Sequence, residues 1–179
     1  MYIPILTKYY DPDSLAYRIL SAHSRDVAGK ALQIARRHPE MNLDLCFIEQ
    51  AAMLHDIGVF LCNAPGICCY GPHAYIRHGF LGAELMRSEG YPRHALVCER
   101  HVGCGLSLEE IREQHLPLPL RDMLPHTREE QLVCLADKFF SKTHPGQEKS
   151  IDKIKNNLAS YGPASLKRFE DWCKLFLED

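Results

Sequence analysis

A histidine and an aspartate side by side at the end of an apolar helix constrain this chain more than any other feature. They lie in Ala51-Ala52-Met53-Leu54-His55-Asp56-Ile57-Gly58. Ile48, Ala51 and Ala52 precede His55 at helical spacing, which puts the imidazole on the apolar stripe and away from the solvated face. Burying an ionised Asp56 is costly unless a cation meets it, and a metal ion is the economical partner for an adjacent His and Asp. Ala51 and Ala52, one turn below, leave room for a bulky group, and Gly58 is expected to stop the helix.

The rest of the chain repeats the same misplacement. Val27, Ala31 and Ile34 recur at i, i+4, i+7, and His23 lies one turn before them on the same face. A helix opened by Asp11-Pro12 runs to about Leu20, and the stripe containing His23 is a second helix or its continuation. Asn42 is read as the cap of the helix from Leu43 to Ile57. His78, Gly82 and Leu85 share one face of a helix that ends at Gly90, and the mid-helix glycine implies a close approach by another element. Pro92 opens the next helix, with Val97 and His101 inward. Ser107 to Glu110 and Thr127 to Glu130 have the form of capping boxes. The second opens a helix whose Val133, Asp137 and Phe140 stripe again carries a carboxylate on an apolar face.

Outside these elements, Met1 to Tyr10 reads as an apolar arm without helical period, and residues 59–75 as a loop with two glycines and two prolines. His73 within it is a possible phosphate contact, though an exposed loop histidine is the plainer reading. Two amphipathic helices, about 148–159 and 164–177, close the chain. The expectation is an all-α single domain over residues 1–179, a helical bundle whose interior holds one or two metal ions. His23, His55, Asp56, His78, His101 and Asp137 are its candidate ligands, and Asp56 is placed to bridge two cations.

Composition narrows the function. With 179 residues, 46% of them hydrophobic, the chain suits one domain with a proper core. A formal charge of −2 gives no general attraction to a nucleic acid polymer or an anionic membrane, and no apolar run reaches membrane-spanning length. Eight cysteines fall largely within helical apolar patterns, with no Cys-x-x-Cys pair and no charged-then-apolar leader before them. Reduced thiols of a cytoplasmic protein, used as small hydrophobes, are expected.

The order His23, His55-Asp56, Asp137 resembles the HD superfamily of metal-dependent phosphohydrolases, and His55-Asp56-Ile57-Gly58 spells its HDIG variant. His78 and His101 are similar to the extra histidines of binuclear members, including HD-GYP phosphodiesterases and HD-type diadenosine tetraphosphate hydrolases. The resemblance covers about residues 20–142. It implies that His23, His55, Asp56 and Asp137 hold one metal, and that Asp56, His78 and His101 hold a second. Iron or manganese suits such sites, with zinc, nickel and cobalt not excluded by ligand softness. It also implies a metal-activated hydroxide that cleaves a phosphoester or phosphoanhydride of a small nucleotide-like substrate, such as a dinucleoside polyphosphate. Asp56 is then catalytic as the bridge, and Lys138, Lys142, Arg77 and Arg100 are candidates to meet the leaving-group charge. The lysine and Gly-Tyr-Pro motif of HD-GYP proteins are missing near His55 and His78, which argues against cyclic dinucleotides. Two other classes stay open: an HD-type di-iron oxygenase and a regulatory metal-binding protein without turnover. Oligomeric state is not legible.

Overall fold

The computed structural model describes residues 2–178; Met1 and Asp179, the ends of the expected arm and domain, lie outside the described residues. Nine α-helices are present among them, with one hairpin of two-residue strands. This is the expected all-α architecture.

Helix α1 (Tyr2–Tyr9) replaces the irregular arm, and buries Ile5 and Leu6 against the body. Eight residues with Pro4 among them show too little periodicity to be read from sequence. Helix α2 (Leu15–Arg37) is one continuous element, and its cap is Ser14, whose hydroxyl accepts from the Tyr17 amide, instead of Asp11. Helix α3 (Leu45–Leu54) is capped by Asp44, which accepts from the Phe47 amide, while Asn42 takes a left-handed conformation outside it. It ends at Leu54, so His55 is the C-terminal cap and Gly58 stands in a following 3-10 turn, Ile57–Leu61. The loop expected over 59–75 contains strands β1 (Asn63–Ala64) and β2 (Cys69–Tyr70) in antiparallel register.

Helix α4 (His78–Ser88) and helix α5 (Pro92–Arg100) form a pair beside that turn. The space between them explains the glycines. A Cβ on Gly58 would stand 2.4 Å from the Gly82 amide nitrogen and 2.4 Å from the His78 carbonyl. A Cβ on Gly79 would stand 2.5 Å from the Cys98 carbonyl. The close approach expected at Gly82 is therefore real, and Gly58 serves packing, not helix termination. Helix α6 (Leu108–Glu113) has the complete Ser107–Glu110 capping box. Helix α7 (Arg128–Lys138) has half of one: Thr127 accepts from the Glu130 amide, but the Glu130 carboxylate turns to Arg100 and the His126 amide.

Helices α8 (Ile151–Leu158) and α9 (Pro163–Phe176) complete the bundle. Val27, Ala31 and Ile34 of α2, Ile48 and Ala52 of α3, Leu132 and Leu135 of α7, and Phe169 and Phe176 of α9 meet in one core. Each fully buried aromatic or large aliphatic side chain there contributes on the order of 1.5–3 kcal/mol. All eight cysteines are free, and buried Cys98 and Cys134 donate to the Leu54 and His101 carbonyls. No helix among the described residues is long and apolar enough to cross a membrane.

Candidate metal centre

Where α2, α3, α4, α5 and α7 converge, six polar side chains close on one another. His23, His55, Asp56, His78 and His101 are buried in the interior, and Asp137 is nearly so. Asp56 lies between two groups. Its Oδ2 is 3.3 Å from His23 Nε2 and 3.1 Å from His55 Nε2. Its Oδ1 is 3.2 Å from His78 Nε2 and 3.4 Å from His101 Nε2. Asp137 Oδ1 completes the first group at 3.0 Å from His23 Nε2 and 3.4 Å from His55 Nε2. The structure thus brings together all six ligand candidates read from the sequence, in the sets His23, His55, Asp56, Asp137 and Asp56, His78, His101.

Local structure aims the rings. His55 Nδ1 is 2.6 Å from the Ala52 carbonyl, His78 Nδ1 is 2.7 Å from that of Tyr75, and His101 Nδ1 is 2.8 Å from that of Cys98. A carbonyl only accepts, so each Nδ1 carries a hydrogen, and the neutral form of each ring turns an Nε2 lone pair to the centre. His78 and His101 then oppose lone pairs across 3.0 Å, beside the Asp56 carboxylate. Neither Asp56 oxygen nor His55 Nε2 has a well-oriented hydrogen bond. Buried donors of that kind converging on one another fit a cation, and imidazole with carboxylate suits Fe, Mn, Zn, Ni or Co.

The charges within the cluster balance one another. Burial works against ionised Asp56, yet His55 and Lys142 hold its pKa well below the carboxylate range. Burial works equally against Asp137, and Lys138 with His23 and His55 holds it low. Burial lowers His55, but Asp56 and Asp137 carry it up to about 9, so at neutral pH this ring holds a proton on Nε2 that a metal ion would have to displace. His101 goes the other way: burial, with its histidine neighbours, takes it down to about 4, a ring kept neutral and able to ligate.

A cavity of about 500 Å³ opens onto His23, His78, His101 and Asp137. Lys142 lies on its wall, with Nζ 2.6 Å from Asp56 Oδ2, and Lys138 Nζ is 2.8 Å from Asp137 Oδ2 and 3.0 Å from the His101 carbonyl. Both lysines therefore stand where the sequence reading wants cations. The two arginines do not. Arg100 pairs with buried Glu130 at 2.8 Å, and Arg77 reaches His73 Nδ1 at 3.4 Å; neither lines the cavity. Each stands next to its histidine in sequence, and on a helix that offset turns its side chain about 100° away from the centre. Sequence reasoning missed Asn63, Lys149 and Asn157 on the cavity wall, since polar residues in a hairpin, a linker and a short helix carry no periodic signal.

Comparison with known proteins places this geometry. The HD domain family matches residues 20–141, which span the cluster from α2 to just past α7. An uncharacterized protein of Methanocaldococcus jannaschii is 33% identical over 139 residues, 76% of this chain and 74% of that protein. Two proteins named tRNA (cytidine(56)-2'-O)-methyltransferase share shorter stretches. That of Thermoplasma volcanium is 32% identical over 66% of this chain and 31% of its own length. That of Picrophilus torridus is 34% identical over 55% of this chain and 25% of its own length. No solved structure matches. With the match covering most of its length and the His/Asp cluster folded into its interior, the chain belongs to the HD domain family.

Proposed function

We propose that the protein is a metal-dependent phosphohydrolase that cleaves a phosphoester or phosphoanhydride bond of a small, nucleotide-like substrate. One observation carries this reading: a single carboxylate, Asp56, faces two donor sets at once, beside a cavity with lysines on its wall. His23, His55, Asp56 and Asp137 would hold one cation, and Asp56, His78 and His101 a second, with iron or manganese suited to the mixture. When bound, such cations supply Lewis-acid charge to phosphoryl oxygens and acidify water.

The chain's own groups do the rest. Nδ1 contacts to carbonyls keep His55, His78 and His101 aimed, so little rearrangement is needed on loading. Lys142, on the cavity wall with its ammonium 2.6 Å from Asp56 Oδ2, would receive a phosphoryl oxygen or the leaving group's charge. Lys138 stays on Asp137 and holds that carboxylate in place. The free thiols suit a reducing compartment such as the cytoplasm. The methyltransferase name is not carried over, because this chain spans only 31% and 25% of those proteins.

The test is metal analysis of freshly purified protein, then an assay of the manganese- or iron-loaded protein on phosphate monoesters, nucleotides and dinucleoside polyphosphates. Hydrolysis that persists without oxygen and disappears in Asp56→Ala supports the reading. Full turnover in Asp56→Ala, or activity only with oxygen, overturns it.

A further inference from the structure

We infer that two neutral side chains on the cavity wall, Asn63 of β1 and Asn157 of α8, read the uncharged part of a substrate carrying a single phosphate. This rests on the phosphohydrolase reading and adds which residues select the substrate. Part of the cavity wall, Asn157 included, comes from beyond residue 141, where the HD family match ends. Ile154, Asn157, Leu158 and Tyr161 follow one another at i, i+3, i+4, i+7, so one face of α8 and its continuation fronts the cavity. Ile154 and Leu158 are also core residues, which fixes that face in place. Tyr161 closes it against the loop after His101: a Cβ on Gly103 would meet the Tyr161 ring at 3.0 Å.

Asn157 is the one carboxamide on that face. Neither its amide nor that of Asn63 makes a hydrogen bond to any described residue, while both line the cavity. A carboxamide both donates and accepts, so the pair matches a heterocycle edge or a sugar hydroxyl, and it carries no charge with which to neutralise a phosphate. The cationic end is small. Lys138 is committed to Asp137, and Lys149 donates to the Lys138 and Phe140 carbonyls at 3.1 and 2.6 Å. No arginine lines the cavity. Lys142 with the metal cluster therefore serves one phosphoryl group, and the wall offers a polyphosphate chain no further lysine or arginine free of other partners. That favours a monophosphate over the dinucleoside polyphosphates expected from sequence resemblance.

The experiment compares adenosine 5'-monophosphate with p-nitrophenyl phosphate, whose neutral end has no hydrogen-bond donor and only a weakly accepting nitro group, on the metal-loaded protein. Binding of adenosine monophosphate and of inorganic phosphate is measured alongside by calorimetry. Asn157→Ala and Asn63→Ala should each raise KM and Kd for adenosine monophosphate about tenfold. They should leave its kcat, the p-nitrophenyl phosphate kinetics, phosphate binding and the melting temperature unchanged. Binding that depends on the asparagines without any turnover sustains the inference and sinks the phosphohydrolase reading. Turnover unaffected by both substitutions, equal losses on both substrates, or tighter binding of diadenosine tetraphosphate than of the monophosphate overturns the inference and leaves that reading standing.

Discussion

Gly58→Ala is the sharpest test of how the fold positions the centre. The added methyl would lie 2.4 Å from both the Gly82 nitrogen and the His78 carbonyl and 2.8 Å from the Gly82 Cα. All three are backbone atoms, so no side chain can rotate away, and α4 must shift by close to an ångström to restore ordinary contact. Overpacking of this kind costs about 3 kcal/mol. For a chain of this size that corresponds to a fall in melting temperature of roughly 6–12 °C. The shift also moves His78, the first residue of α4, away from Asp56 and His101. His23, His55 and Asp137 lie on other elements and keep their places. Thermal unfolding and metal analysis of the same preparation are the assays: stability falls, and metal is lost from the set containing His78 first. Gly66→Ala is the control, since nothing lies within 4 Å of a Cβ there. A Gly58→Ala protein that melts within a degree of wild type with full metal content would refute the packing argument.

Lys142→Met should lower kcat/KM for phosphate esters at least tenfold while metal content, read by elemental analysis, is unchanged; loss of metal together with activity would assign the lysine to site integrity. Arg100→Ala should leave the Glu130 carboxylate buried without its cation, costing about 3–5 kcal/mol by denaturant titration with kinetics per folded molecule unaltered. His94, on α5 away from the centre, has its pKa lowered by burial, with Arg93 adding to the effect. The unfolded chain then binds a proton near pH 6.5 that the folded chain refuses. His94 costs no stability above that pH, and stability falls as acidity increases below it. His94→Gln should flatten that acid limb in melts recorded from pH 7 to pH 5, and an unchanged slope would remove His94 as its source.

The parts of this molecule that were legible in its sequence are those where chemistry and periodicity contradict each other. His23 ahead of Val27, Ala31 and Ile34, and Asp137 between Val133 and Phe140, are polar residues on stripes that the core demands. Such conflicts have few physical resolutions, and the cluster is one of them. The helix starts were less legible because several Asx and Ser residues compete: Ser14 and Asp44 cap where Asp11 and Asn42 were equally plausible. Arg77 and Arg100 misled because adjacency in sequence is not adjacency in space on a helix. Asn63 and Asn157 left no trace, since an exposed asparagine looks the same whether it faces bulk water or a ligand cavity.

The ties from three imidazoles to carbonyls three residues upstream have a consequence for assembly of the centre. Each ring takes its orientation from its own stretch of chain, by a bond that forms with the local turn and owes nothing to the neighbouring helices. The folded chain can therefore present its nitrogens ready-aimed to an incoming ion, so maturation can follow folding as a separate event, and a chelator can strip the centre without erasing the alignment that lets it refill.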